Sequence, residues 1–408
     1  MAIGVAGTFS RVGRLAARFI GFIIIPAQVP GDVTKQTQEL AHAPLTTLRS
    51  WSTKVIAQLI WQILGHKKLT IPDDPILEQM DAARRRFTEH KGWTSIAPVT
   101  HGGFKLDACI KEPKSSSSMP RYIIFIGGNM QIYEFWLPYF DLYARDSGVG
   151  FLCFNFRGVG RSEGAITCVD DMLNDIGACV DSLISSCEVR PEHILLHGFS
   201  IGGALSAVYL ASPLAPSGVC ITSDRSFRSF CHAAFGIVRG FDAAVGEPKG
   251  AYLARSHPDE YECDDEEADD EGVVDGRGGA SGQLRRCIAR RLRGCLLCFI
   301  ALLRALIAQL AIYCFQATNW ELNAEAAWPS IRGRKVLVYN RADNIVCYGA
   351  ASLHGALERQ PQQLHSVSIV EVTLRDAGGW AMHDFPLYID NLAWHSMIAA
   401  EREALGLL

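Results

Sequence analysis

The stretch from His193 to Gly203, His-Ile-Leu-Leu-His-Gly-Phe-Ser-Ile-Gly-Gly, constrains this chain more than any other. A short apolar run meets Gly198-Phe-Ser-Ile-Gly202, and Ala204-Leu-Ser-Ala-Val-Tyr-Leu210 follows in helical spacing. The segment reads as strand, sharp turn and helix. A serine at such a turn is held in a strained backbone conformation with its hydroxyl projecting above the sheet, and glycines at 198, 202 and 203 remove side chains that would clash there. That geometry presents a nucleophile, here Ser200. A bare Gly-x-Ser-x-Gly arises by chance in glycine-rich chains, so the strand before it and the helix after it carry the weight.

The flanking sequence has the same rhythm. From Trp93 onward, 94–100 and 104–110 alternate around the turn His101-Gly102-Gly103, a hairpin signal. Brief apolar runs follow at 122–126, 150–154, 194–197, 219–222, 336–339 and 367–372, each bounded by glycine, proline or polar residues. Helical patterns separate most of them, at 131–145, 169–186, 201–211 and 346–358. An antiparallel hairpin followed by alternating strands and helices predicts an α/β fold: a mostly parallel, doubly wound sheet with helices on both faces.

Residues 1–92 do not share this pattern and read as an N-terminal helical extension to a main domain at 93–408. Arg11, Arg14 and Arg18 precede Phe19-Ile-Gly-Phe-Ile-Ile-Ile25, but that apolar stretch is short and meets Pro26 without a small-residue cleavage site. A packed segment is favoured there, with a membrane-surface anchor as the alternative. Apolar positions at helical spacing recur through 51–65 and 75–90. Within the main domain, residues 227–327 interrupt the strand-helix alternation over a length no ordinary crossover needs, which predicts an inserted cap. Its centre, 259–275, holds eleven carboxylates with glycines behind them, so 259–282 reads as a disordered acidic surface loop. Arg285, Arg286, Arg290, Arg291 and Arg293 then precede the apolar run 295–315. Arg304 in mid-run would cost about 2.5 to 3.5 kcal/mol in a bilayer. The run is therefore expected to roof a pocket, with an interfacial helix as the alternative.

Composition excludes several classes. A formal charge of −4 predicts no nucleic-acid partner. Thirteen irregularly spaced cysteines fit a reducing, cytoplasmic compartment rather than a disulfide scaffold. Cys295 and Cys298 make a C-x-x-C with no second pair, so no metal site is expected. The glycines of Phe156-Arg-Gly-Val-Gly-Arg-Ser162 miss the dinucleotide fingerprint because Gly164 falls one place late, and no organic cofactor is expected.

Together, Gly198-Phe-Ser-Ile-Gly202, the loop Phe156 to Ser162 and the glycines Gly127-Gly128 before Asn129 resemble the α/β-hydrolases over roughly residues 93 to 408. The loop is similar to the family's Arg-Gly-x-Gly-x-Ser segment, and Gly127-Gly128-Asn129 stands where the family usually has His-Gly. With the helical preface, that loop is more narrowly similar to a poorly characterised branch described from chlamydiae and other intracellular bacteria. The resemblance implies a serine, an acid and a histidine in that chain order. The strand at 336–339 runs into Asn340-Arg-Ala-Asp343, which puts Asp343 at a strand's carboxyl end, the expected place for the acid, with Asp224 as the fallback. The loop Arg375 to His383 carries the base, His383, in preference to His354 and His365. An oxyanion needs preorganised donors, and the Ile201 N–H, with one from the Gly127-Gly128-Asn129 loop, most naturally Asn129, would supply them.

The resulting expectation is a serine hydrolase of acyl bonds with lipase-like preference for hydrophobic esters, acting on a small-molecule or lipid substrate with peripheral membrane contact. Two alternatives stay open at this point: a non-catalytic protein that uses the scaffold to bind a membrane or partner, and an acyltransferase using the same residues. Oligomeric state, acyl chain length and the choice of ester, thioester or amide are not legible.

Overall fold

Four runs, Tyr122–Ile126, Gly150–Phe154, Ile194–Phe199 and Cys220–Asp224, are buried at every position. Strands buried on both faces belong to the middle of a sheet with helices on each side. The computed structural model describes residues 75–114, 119–128, 131–164, 166, 168–233, 321–343, 345–346, 348–374 and 383–408. Helix α1 (Pro75–His90) leads into the hairpin β1 (Trp93–Ile96) and β2 (Ala108–Lys111), with Trp93 opposite Lys111. Strand β2 pairs antiparallel with β4 (Gly150–Phe154). From there β3 (Tyr122–Ile126), β5 (Ile194–Phe199), β6 (Cys220–Asp224), β7 (Lys335–Asn340) and β8 (Val367–Val372) run parallel, giving the eight-stranded order β1-β2-β4-β3-β5-β6-β7-β8.

The period of two along each strand sorts the core into two layers. Ile124, Leu196, Ile221 and Leu337 face a cluster built with α3 (Val169–Ser186) and α4 (Ile201–Ala211). Their neighbours Ile123, Leu195 and Val336 face the other, built with α2 (Tyr133–Ser147) and α8 (Asn391–Ala404). Helix α1 is tied to this body: Met80 is fully buried, and the Arg84 guanidinium lies between Asp107 and Glu134.

The structure departs from the sequence reading in two places. The hairpin strands are shorter than 94–100 and 104–110 because Pro98, which has no N–H to donate, interrupts the ladder; its carbonyl accepts from Leu106 N at 2.8 Å, and pairing resumes as an isolated Val99 to Lys105 bridge. The helix expected at 346–358 is broken into α6 (Tyr348–Ala351) and α7 (Leu353–Leu357). Ser352 between them is extended, pairs with Phe227, and its hydroxyl caps α7 at Gly355 N.

Most of the N-terminal extension (1–74) and of the cap, including the acidic segment, lies outside the described residues, as do the apolar runs 19–25 and 295–315. The two ends of the 227–327 segment are described and adjacent. Phe230 N donates to Leu322 O, Glu325 N donates to Arg228 O, and Arg228 pairs with Glu325, next to α5 (Ala324–Ala327). Among the described residues, no helix is long and apolar enough to cross a membrane.

Candidate active site

Strand β5 delivers Phe199 to the sheet's carboxyl edge, and α4 begins at Ile201. Ser200 between them has φ 54° and ψ −117°, a conformation L residues rarely adopt. The surroundings impose it. A Cβ on Gly198 would lie 2.3 Å from Gly202 O, and one on Gly203 would lie 2.7 Å from Ser226 Cβ. Ser200 N donates to Asp224 O at 2.9 Å, and the Ser226 hydroxyl donates to Ser200 O at 2.6 Å. The serine is thus fixed to the end of β6 through both its main-chain polar groups, which offsets the backbone strain.

The structure brings three of the sequence-derived residues into one hydrogen-bonded chain. His383 Nε2 lies 2.8 Å from Ser200 Oγ, and His383 Nδ1 lies 2.6 Å from Asp343 Oδ2. All three are buried. Asp343 stands three residues beyond β7, and its other oxygen accepts from Ile345 N at 2.9 Å and Val346 N at 2.8 Å. Those two amides fix the carboxylate, so its free oxygen faces the imidazole. Burial works against an imidazolium at His383, but the Asp343 carboxylate outweighs it and raises the histidine above its ordinary value. A hydroxyl facing an imidazole whose far nitrogen faces a fixed carboxylate can lose its proton to that imidazole as it attacks.

The other sequence candidates fall as follows. Ile201 opens α4, so its N–H belongs to the first turn, where helix geometry supplies no acceptor. Gly127 and Gly128 follow β3; Gly128 N donates to Gln131 Oε1 at 2.7 Å, and a Cβ there would lie 2.8 Å from the Phe199 ring. The glycine loop is therefore pressed against Phe199, the residue preceding the strained serine turn. Asn129 lies outside the described residues. The fallback acid Asp224 does not face His383: its carboxylate engages Arg225. His354 stacks on Tyr339 and bonds Tyr348 OH instead. Arg157, from the glycine-containing loop, pairs with Asp171 and Asp175 of α3. Among the described residues, no three His, Cys, Asp or Glu side chains are grouped as metal ligands would be.

Beneath the site lies a buried polar cluster that sequence reasoning did not single out. Glu401 of α8 accepts from Thr222 Oγ1 at 2.7 Å, from the Tyr143 hydroxyl, and from His197 Nδ1 at 2.8 Å. His197 Nε2 lies 3.6 Å from Asp224. Burial opposes charge on His197, but Glu401 and Asp224 outweigh it and push it up to about 9. The visible signal was a histidine inside the otherwise apolar β5 and a carboxylate at the end of β6.

A sequence profile described as the alpha/beta hydrolase family matches residues 123–390, more than half of the chain. The chain belongs to the alpha/beta hydrolase family. An uncharacterized protein YfhR of Salmonella typhi is 28% identical over 106 residues, which is 25% of this chain and 33% of that protein, so the chain matches about a third of the curated relative's length. Similar solved structures include an esterase from Pyrococcus furiosus (14% identity, 78% of this chain and 93% of that one, TM-score 0.47). An alpha-beta hydrolase from Vibrio vulnificus (13%, 81% and 86%, 0.46) and an enol-lactonase from Burkholderia xenovorans (13%, 76% and 100%, 0.42) are also similar.

Proposed function

We propose that the protein is a serine hydrolase of acyl bonds, with Ser200 as nucleophile, His383 as general base and acid, and Asp343 as the carboxylate that orients the imidazole. The observation that carries this reading is the continuous chain from Ser200 Oγ through His383 to Asp343, 2.8 and 2.6 Å long at its two links and mounted on a strained turn. Ser200 Oγ attacks the acyl carbon while its proton passes to Nε2. The imidazolium, held by Asp343, then returns the proton to the departing oxygen, and water repeats the sequence on the acyl-enzyme. In this reading the Ile201 amide and an amide of the 127–129 loop, Asn129 foremost, hold the developing oxyanion, each contributing about 3 to 4 kcal/mol to the transition state.

The substrate we assign is an apolar ester or acyl lipid met in the cytoplasm or at a membrane surface, because the sequence of the 227–327 insertion is rich in apolar residues near its end. The narrower kinship with the chlamydial-type branch is part of the same reading and rests on Gly127-Gly128-Asn129 and the helical preface.

The test is labelling of the full chain with a fluorophosphonate, mapped by peptide mass spectrometry, together with hydrolysis of a medium-chain ester. Label on Ser200 that disappears in Ser200→Ala and His383→Ala, with ester turnover lost in both, is the expected result. A folded wild-type protein that neither takes the label nor turns over esters would overturn the reading.

A further inference from the structure

Arg225 follows β6 directly and has φ 46°, so two of the few described non-glycine residues with positive φ, Ser200 and Arg225, stand at the ends of adjacent strands. Nothing local to a turn demands arginine in that conformation, and such strain persists where surrounding contacts over-determine it. Arg225 N donates to Val338 O at 2.8 Å, which fixes the backbone. The side chain is buried, and its Nε and Nη2 grip both oxygens of Asp224 at 2.8 and 3.0 Å. Asp224 is itself backed by His197, and His197 by Glu401.

The remaining edge of the guanidinium points at the segment that carries the base. Arg225 Nη1 donates to His383 O at 3.0 Å and to Phe385 O at 2.9 Å. Two aromatic rings contact it as well: the cation lies 4.7 Å from the Phe199 ring centroid and 5.0 Å from that of Phe385. The Phe199 ring in turn lies 5.2 Å from the imidazole of His383. One buried cation therefore contacts the ring before the nucleophile, the ring two residues beyond the base, and the backbone of the base itself.

We propose that Arg225 is the positioning residue for His383: its planar fork clamps the main chain at 383 and 385 and holds the imidazole over Ser200. Lysine cannot reproduce the arrangement, because a point donor cannot span a carboxylate and two carbonyls in one plane. The fixed positive charge has a second consequence. The charges facing His383 are Asp343 from the loop after β7, Asp384 beside it in sequence, and Arg225 from the end of β6. The two carboxylates favour the imidazolium and the guanidinium opposes it, so Arg225 keeps the base available at lower pH than the carboxylates alone would allow.

The clamp matters for turnover only if His383 acts as the base proposed above, and the experiment separates the two questions. The full chain is labelled with histidine carrying carbon-13 at Cε1, the His383 resonance is identified by its loss in His383→Gln, and it is followed against pH in Arg225→Gln, Arg225→Lys and Asp224→Asn/Arg225→Gln. The double variant removes both partners, so neither charge is left buried alone. Expected are a His383 midpoint moved to higher pH and a broadened resonance in both neutral variants. The midpoint should return in Arg225→Lys while the broadening remains. Ester kcat should fall roughly 100-fold with KM little changed, as for a displaced catalytic group. Variants that melt cooperatively and keep the wild-type resonance and midpoint would overturn the proposal. A wild-type protein inert toward esters, with the resonance changes as expected, would leave the clamp standing and remove the hydrolase reading.

Discussion

Gly202 and Ile126 approach so closely that a methyl group on the glycine would lie 2.1 Å from the isoleucine's carbonyl oxygen. This contact sets the first turn of α4 against the end of β3, so the Ser200 turn and the glycine loop keep one separation. Gly202→Ala must therefore shift backbone against backbone. The expected cost is about 4 kcal/mol or more of stability, in the range that marks a backbone clash at a special site. Gly349→Ala is the comparison, because a Cβ there meets nothing within 4 Å. It should change stability by less than about 1 kcal/mol. Urea denaturation of the two variants measures the difference, and equal midpoints would refute the steric account.

Asp343→Asn separates charge from hydrogen bonding. The oxygen that accepts from Ile345 N and Val346 N must remain an acceptor, so the new NH2 group is forced toward His383 Nδ1. Nδ1 then becomes the acceptor, the ring proton moves to Nε2, and the base meets Ser200 with the wrong nitrogen protonated. The fold should survive while kcat falls about 10⁴-fold, the size seen where only the tautomer is reversed. Ester kinetics beside a thermal melt test this; a loss below tenfold with normal folding would argue that Asp343 does not set the tautomer.

As the general base proposed above, His383 would work only when neutral. Burial opposes the imidazolium at His383, but Asp343 more than compensates, so its midpoint lies above the ordinary histidine value of about 6.5. The acid limb of kcat/KM should accordingly fall on the alkaline side of pH 6.5, with activity rising as pH rises through it, since that ratio reports the free enzyme. A limb at or below pH 6 would contradict the electrostatic balance described here.

Much of the candidate site's arrangement was legible because its parts are local in sequence. Gly198, Ser200 and Gly202 sit within five residues, Asp343 and His383 each follow a recognisable apolar strand, and the resemblance to the hydrolases supplied the order in which to look for them. The sheet was legible for the same reason: runs such as 122–126 are apolar throughout and bounded by turn residues. What periodicity missed depends on contacts far apart in the chain. Ser352 breaks a helix because Phe227, more than a hundred residues earlier, offers it a strand partner. Glu401 is a charged residue near the end of a helix, a position with no motif around it, yet it is fully buried because Thr222, His197 and Tyr143 converge on it from three other elements. No motif in the sequence marks Arg225, and only the folded position of 383–385 gives its guanidinium the two carbonyl partners.

The buried His197 makes stability depend on pH in a direction opposite to acid denaturation. Its folded value is raised to about 9, because Glu401 and Asp224 outweigh the burial that opposes its charge. A group raised on folding contributes fully below its unfolded value, near 6.5, and loses that contribution as pH climbs through the folded value. Stability should therefore decline between pH 7 and pH 10, by an amount on the order of 3 kcal/mol if His197 acts alone. In His197→Gln the Glu401 carboxylate loses its cation while Asp224 keeps Arg225, so the variant should be less stable than wild type at pH 6. It should also lack most of the decline at higher pH, bringing the two stability curves together near pH 10. Urea midpoints for both proteins across this range provide the measurement. Parallel curves would mean that His197 is neutral in the folded protein and that Glu401 is held by Tyr143 and Thr222 without its help.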